Sequence, residues 1–531
     1  MSHPLASPRR RRAHRPAVLL AAAAPCLATA ACVHVFTNLA VRDVRPAGAA
    51  DSVTVRSAVK AHLLDGSTLV FPTGVTVAGG TVRGAGTRYA LGSDLARPAD
   101  PVPLDSVAAM ESFETQVQAA PTVLVSLGAT ALGVVAAAGA AVAVFGSCPT
   151  FYSDSAGQAV LEAEGFSYSI APLFERRDVD RLRAGAMDGV VRLELRNEAL
   201  ETHYLNHVEL LEVRHAPGEY VAADAGGAPL VLRDLRPASS AVDRAGRDVA
   251  PALRDADGTL FATARATLDG ATADDLDDHV DVTLPAAPGA DSLAVVLRLR
   301  NSLLNTVLLY DEILGASGAR SLDWMARDLE RVTGAVELGR WYAAHMGLRV
   351  AVRDGDARRP VARLGDAGPI AFHDVVVVVP AVRGGDGRVR VRLSFTADNW
   401  RIDRLAAAGA FRRATPRVLP VAGLQRASGA ADTAALAGVR EPDERYLVTT
   451  PGQRATLRFD AGPLAPDSAR TFLLASQGYY VEWVRGSWLR APSRDTPFVP
   501  GDAALFSAVR RWRTAQPDFE QRFYASKIPV R

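Results

Sequence analysis

His203, His207 and His215 form the densest group of imidazoles in the chain. On a helix, the four-residue gap between the first two would align both rings as metal ligands. The flanking residues alternate like a strand, however, and a strand sets positions 203 and 207 on one face about 13 Å apart. Solvent-facing or hydrogen-bonded histidines are expected there, and no metal. Asp274, Asp275, Asp277, Asp278 and Asp281 offer the carboxylate oxygens that calcium prefers, without the glycine and spacing of an EF-hand loop. They read as a solvated acidic loop. Asp255-Ala256-Asp257-Gly258 reads as a turn.

Tyr479, Tyr480, Trp483 and Trp488 make the richest aromatic patch in a chain whose aromatic content is only 6%. Sugar rings stack on such side chains, so Tyr479, Tyr480 and Trp483, together with Trp400, are the candidate ligand-binding residues. Core packing is the competing reading, because Tyr479, Val481 and Trp483 would share one face of a strand.

No catalytic residue follows from the sequence. Lys60 and Lys527, the two lysines, do not follow the glycine pattern of a phosphate-binding loop. There is no Gly-x-Ser-x-Gly elbow and no His-Glu-x-x-His helix. Gly84-Ala85-Gly86 lacks the third glycine and the helix of a dinucleotide fingerprint. No cofactor is expected. The 60 basic and 58 acidic residues nearly cancel, which leaves no field to draw nucleic acid. Three cysteines are too few for a disulfide framework or an all-cysteine zinc site.

The one dense basic cluster, Arg9 to Arg12 with Arg15, precedes an apolar run from Ala17 to Leu27 and the small residues Ala28 to Ala31. Residues 1–31 therefore read as an export signal, with the mature chain starting at Cys32. Thr29-Ala30-Ala31-Cys32 resembles a bacterial lipobox, with Thr29 where Leu is usual. That resemblance implies lipidation at Cys32, with membrane lipid as a partner and a place in the bacterial cell envelope, on the periplasmic or outer-membrane side. A plain cleaved signal and an uncleaved anchor helix are the alternatives.

A second apolar run, Thr122 to Phe145, carries no charge and is long enough to cross a bilayer. Ala129, Gly133, Ala137 and Ala141 recur at four-residue spacing, placing small residues on one helix face where a second helix can approach. A transmembrane helix, a helix-mediated oligomer and a buried helix are all consistent with it.

The elements that must carry any site are mostly strands. Asp65-Gly66 joins Ala61-His62-Leu63-Leu64 to Thr68-Leu69-Val70-Phe71, a strong hairpin signal. Runs such as 190–195 and 208–213 alternate apolar and polar residues. Leu322, Met325, Leu329, Val332 and Val336 repeat at helical spacing, and residues 502–525 read as a surface helix. The expectation is a mainly β, multi-domain chain of β-barrels or β-sandwiches with one apolar helix and a few amphipathic ones. Its expected parts are a linker at 32–51, a small β domain at 52–120, the apolar helix at 121–146 and a β domain at 147–285. A strand and amphipathic helix at 286–347, a β block at 348–410 and a β region with a C-terminal helix at 411–531 complete it.

Cys148-Pro149-Thr150-Phe151-Tyr152-Ser153 after the apolar run, and Asn197-Glu198-Ala199-Leu200-Glu201-Thr202 later, carry a further likeness. The chain resembles uncharacterised bacterial envelope proteins with a Cys-Pro-x-x-Tyr-Ser segment, through most of residues 57–490. The block 348–409, ending in Trp400-Arg401-Ile402-Asp403, looks like the jelly-roll sandwiches common among carbohydrate-binding modules. The leading functional expectation is a non-enzymatic, membrane-attached envelope protein for scaffolding, adhesion or ligand capture, with a glycan or an envelope protein as partner. A carbohydrate-binding protein is the first alternative. A hydrolase whose carboxylates meet only in the fold is the second.

Overall fold

The computed structural model describes residues 37–43, 52–89, 97–117, 148–286, 288–321, 332–443, 445–485 and 501–531, together with Trp324, Met325, Leu329 and Trp488. The chain divides into two compact units, residues 1–40 with 114–140 and residues 41–113 with 141–531. Of the first, only strand residues 37–40 and 114–117 are described.

The fold is mainly β, with 46% strand against 18% helix. The sheets are antiparallel for the most part, and no closed barrel forms among the described residues. Sandwiches arise because the strands alternate: Val190–Arg196 buries Val191, Leu193 and Leu195 while Arg192 faces out.

Residues 52–89 and 97–113 form a small sandwich over Val59, Leu69, Phe71, Val82 and Met110. Its hairpin pairs Ala61 with Leu69, and Gly66 turns the corner at φ 81°, a value that favours glycine.

A second sandwich interleaves distant parts of the chain. One sheet runs Gln158–Glu164, Thr150–Ser155, Val190–Arg196, Arg454–Asp460 and Gly423–Arg426. The facing sheet runs Arg176–Arg181, Ala469–Glu482, Glu201–His215 and Arg417–Pro420. Phe151, Leu193, Leu210, Phe459 and Leu474 fill the space between them. The segments expected as separate regions at 147–285 and 411–531 thus share one core.

In the third sandwich, a seven-stranded sheet contains Ser292–Asn301, His373–Pro380 and Trp400–Ala408, and it faces a five-stranded sheet containing Asp277–Leu284, Val389–Thr396 and Leu348–Asp354. Val280, Leu297, Val350, Leu393 and Trp400 pack between them. The block 348–409 contributes strands to both sheets, whose remaining strands come from 220–301 and from Ala410–Arg413.

Helix α1 spans Val332–Met346 and α2 spans Asp502–Ala525. On α1, Ala335 and Leu338 are buried while Val336 is exposed; Met325 and Leu329 ahead of it are buried, and Leu322 lies outside the described residues. On α2, Leu505, Ala508, Val509 and Trp512 supply one buried stripe at helical spacing. Pro517 cannot donate to the carbonyl of Arg513, and the Arg265 guanidinium fills that vacancy at 2.9 Å. The export signal, Cys32 and the apolar run with Ala129, Gly133, Ala137 and Ala141 lie outside the described residues. Among the described residues no helix is long and apolar enough to cross a membrane.

Candidate functional site

A cavity of about 620 Å³ opens between elements of the second and third sandwiches. Its walls come from Tyr168, Asp178, the π-helical turn Leu308–Leu314, helix α1, the loop 364–369 and His373. The size falls in the range of small-ligand pockets. A seven-residue π-helix is itself rare and recurs at functional sites. It places Tyr310 on the cavity wall.

Asp178 and Asp180 lie two residues apart on the strand Arg176–Arg181, so their side chains share a face. His373 opens a strand of the other sandwich, and one ligating atom from each of the three lies within 4.8 Å of the others. Asp180 Oδ1 meets His373 Nδ1 at very short range. Burial pushes the Asp178 carboxyl up to about 7, and the Asp180 charge adds to the effect. Burial opposes charge on His373, yet the Asp180 carboxylate, with Asp178 and Glu164 behind it, carries that imidazole up to about 10. Asp178 keeps some accessible surface despite its depth, because it borders the cavity.

Along the same wall, Asp366 accepts the Gly368 amide at 2.9 Å and the Asn305 amide group at 3.1 Å. Asn305 Oδ1 is buried without a hydrogen-bond partner. Glu164 accepts the amides of Ile370 and Ala371 at 2.7 and 3.0 Å, which fixes the loop leading to His373. A Cβ on Gly368 would stand 2.6 Å from that carboxylate.

Tyr310 links the cavity to a second buried cluster. Its hydroxyl lies 2.5 Å from Glu482 Oε1 and 3.2 Å from Glu201 Oε1. One phenol proton cannot serve two carboxylates, and Glu201 also hydrogen-bonds Glu482, so the two acids share a further proton. Burial agrees with this, pushing Glu201 up to about 7 and Glu482 well above the usual carboxylate range. Arg485 donates to Glu482 at 3.0 Å and lies 3.9 Å over the Tyr310 ring. His203 Nε2 stands 3.2 Å from Glu201, and burial pushes its imidazole down to about 3. Behind them Lys60 donates to the carbonyl of Glu482 at 3.0 Å, and Glu111 pairs with His62 at 3.2 Å.

The two segments quoted for the envelope likeness meet in a third cluster. Tyr152 donates to Glu198 at 2.7 Å and Thr150 donates to it at 3.0 Å. Lys527, just beyond α2, reaches the same carboxylate at 3.3 Å. The contact ties the C-terminal segment to the second sandwich.

Trp400, Tyr479 and Trp483 are buried in the interior, at 0%, 0% and 5% exposure, where no surface platform exists. Tyr480 is also buried but borders the cavity. Tyr479 stacks on Tyr204 with centroids 4.7 Å apart, and Trp483 donates to Thr202 at 2.9 Å. His203, His207 and His215 lie along the strand Glu201–His215 with separate partners: Glu201, Glu209 and Thr471. Asp275, Asp277 and Asp281 pair with Arg244, Arg349 and Arg392. Asp178, Asp180, Asp366 and His373 were missed by the sequence reading. The only available signal was an Asp-x-Asp pair at strand spacing.

No protein-family model matches the chain. No curated protein matches it either. Among solved structures, that of infectious bursal disease virus Gx strain aligns over 92% of this chain and 91% of that one, at 9% identity and a TM-score of 0.13. A likeness at that level carries no argument about fold or function.

Proposed function

We propose that the protein is a membrane-anchored envelope protein that captures a small hydroxylated molecule of sugar size in the cavity beside Asp178, Asn305, Asp366 and His373. The observation that carries this reading is a cavity of about 620 Å³ on which several buried polar groups converge. Asn305 Oδ1 is an acceptor with no protein donor, as a ligand hydroxyl would require. Asp366 is held by two donors and so is oriented before any ligand arrives. Tyr168, Phe174 and Tyr342 add aromatic surface to the wall, on which a sugar ring stacks. Anchorage rests on the basic n-region, the apolar run after it and Cys32.

A hydrolase is the second reading, favoured by Asp178 and Asp366 bordering one cavity from distant parts of the chain. A thermal-shift screen of monosaccharides, disaccharides and polyols, followed by mass analysis of the recovered compounds, tests both. Recovery of the compound intact supports capture, and recovery of cleaved product supports hydrolysis. A screen in which no hydroxylated compound raises the melting temperature overturns both.

A further inference from the structure

We infer that Asp178, Asp180 and His373 form a binding site for one divalent transition-metal ion of the zinc class, set in the cavity wall. Two carboxylates and an imidazole from different sheets bring their ligating atoms within 4.8 Å of one another. Ligands about 2.1 Å from a tetrahedral ion stand about 3.4 Å apart, so modest side-chain rotation closes the set. Asp180 supplies an independent observation. Its side chain is only 3% exposed, Oδ1 meets His373 Nδ1, and Oδ2 has no hydrogen-bond donor at all. Buried carboxylate oxygens are normally satisfied, and a cation bound at this point would satisfy both.

The donor set selects the ion. Calcium needs about six to eight oxygens and magnesium about six, whereas two carboxylates with one imidazole suit zinc and its first-row neighbours. Asp178 and His373 border the cavity and Asp180 does not, so the coordination position left open faces the cavity. Three protein ligands with one open position is the composition of catalytic rather than structural zinc sites. The inference stands apart from the ligand-capture reading, since the metal alone is its probe.

The test uses the full chain, stripped with a chelator, dialysed and titrated with Zn²⁺ by calorimetry. About one equivalent is expected to bind the wild type, with affinity at least tenfold weaker in Asp180→Asn and His373→Gln. Asp178→Asn, which alters a ligand on the cavity wall, is expected to weaken Zn²⁺ binding likewise, with circular dichroism to confirm that each variant retains its sheets. Co²⁺ is expected to give weak visible d–d bands without sulfur-to-cobalt charge transfer, although Cys148 borders the same cavity. Equal Zn²⁺ binding by wild type and folded variants overturns the assignment, as does a thiolate charge-transfer band.

Discussion

Replacing Glu201 by Gln is expected to make the protein more stable relative to wild type as the pH rises. Glu201 is fully buried, and its carboxyl moves from an ordinary value of 4.5 up to about 7. Below pH 4.5 the acid is protonated in both the folded and the unfolded chain, so it contributes nothing to pH dependence. Between 4.5 and 7 the unfolded chain releases the proton while the folded chain retains it, and folding becomes steadily less favourable. At about 1.4 kcal/mol per pH unit this reaches about 3 kcal/mol near pH 7 and is flat above it. Glutamine has nearly the shape of the protonated acid and no proton to lose, so it lacks this decline. Glu482, Arg485, Tyr310 and Glu164 face Glu201 in both proteins. His203, pushed down to about 3, costs stability as the pH falls below 6.5, and that effect largely cancels in the comparison. The assay is urea unfolding of both proteins at pH 4.5 and pH 8. A difference that stays constant, or that turns against the glutamine variant as the pH rises, would refute the shared-proton account of Glu201 and Glu482.

Gly368→Ala is expected to destabilise the protein. The new Cβ would lie 2.6 Å from the Glu164 carboxylate at a backbone φ of 73°. Conformational strain of about 1–2 kcal/mol, with displacement of Glu164 from two amides at about 1–3 kcal/mol, should lower the unfolding midpoint clearly. An unchanged midpoint would show that Glu164 does not hold the loop before His373. For the envelope reading, the wild type expressed in bacteria should carry the added mass of a diacylglyceryl group at Cys32 and sediment with membranes. Cys32→Ala should lose that mass, and an unmodified wild type would contradict lipidation.

The parts of the fold legible in sequence were those governed by neighbours along the chain. Asp65-Gly66 forms the hairpin that its turn chemistry demands, and residues 502–525 form the helix that their periodicity demands. Strand pairing was not legible, because alternation says that Val190–Arg196 has one buried face without saying that Arg454–Asp460 lies beside it. The site depended on such pairings. Asp178 and His373 come from separate sandwiches, and nothing in the intervening sequence links them. Side-chain size marked Trp400, Tyr479 and Trp483 as consequential but could not separate ligand stacking from packing. Their burial places them in the interior. The Cys-Pro-x-x-Tyr-Ser and Asn-Glu-x-x-Glu-Thr segments stood as two short likenesses, and the fold joins them through the Tyr152 to Glu198 hydrogen bond.

The most direct test of ligand capture is a calorimetric titration of wild type and Gly339→Trp with the compound found by the screen. Gly339 borders the cavity on α1, where an added Cβ would stand 3.5 Å from Phe174, so the helix accepts a side chain and the indole occupies ligand space. At least a hundredfold loss of affinity is expected in the variant, with circular dichroism confirming that it remains folded. Undiminished binding by that variant would place the ligand elsewhere and contradict the account.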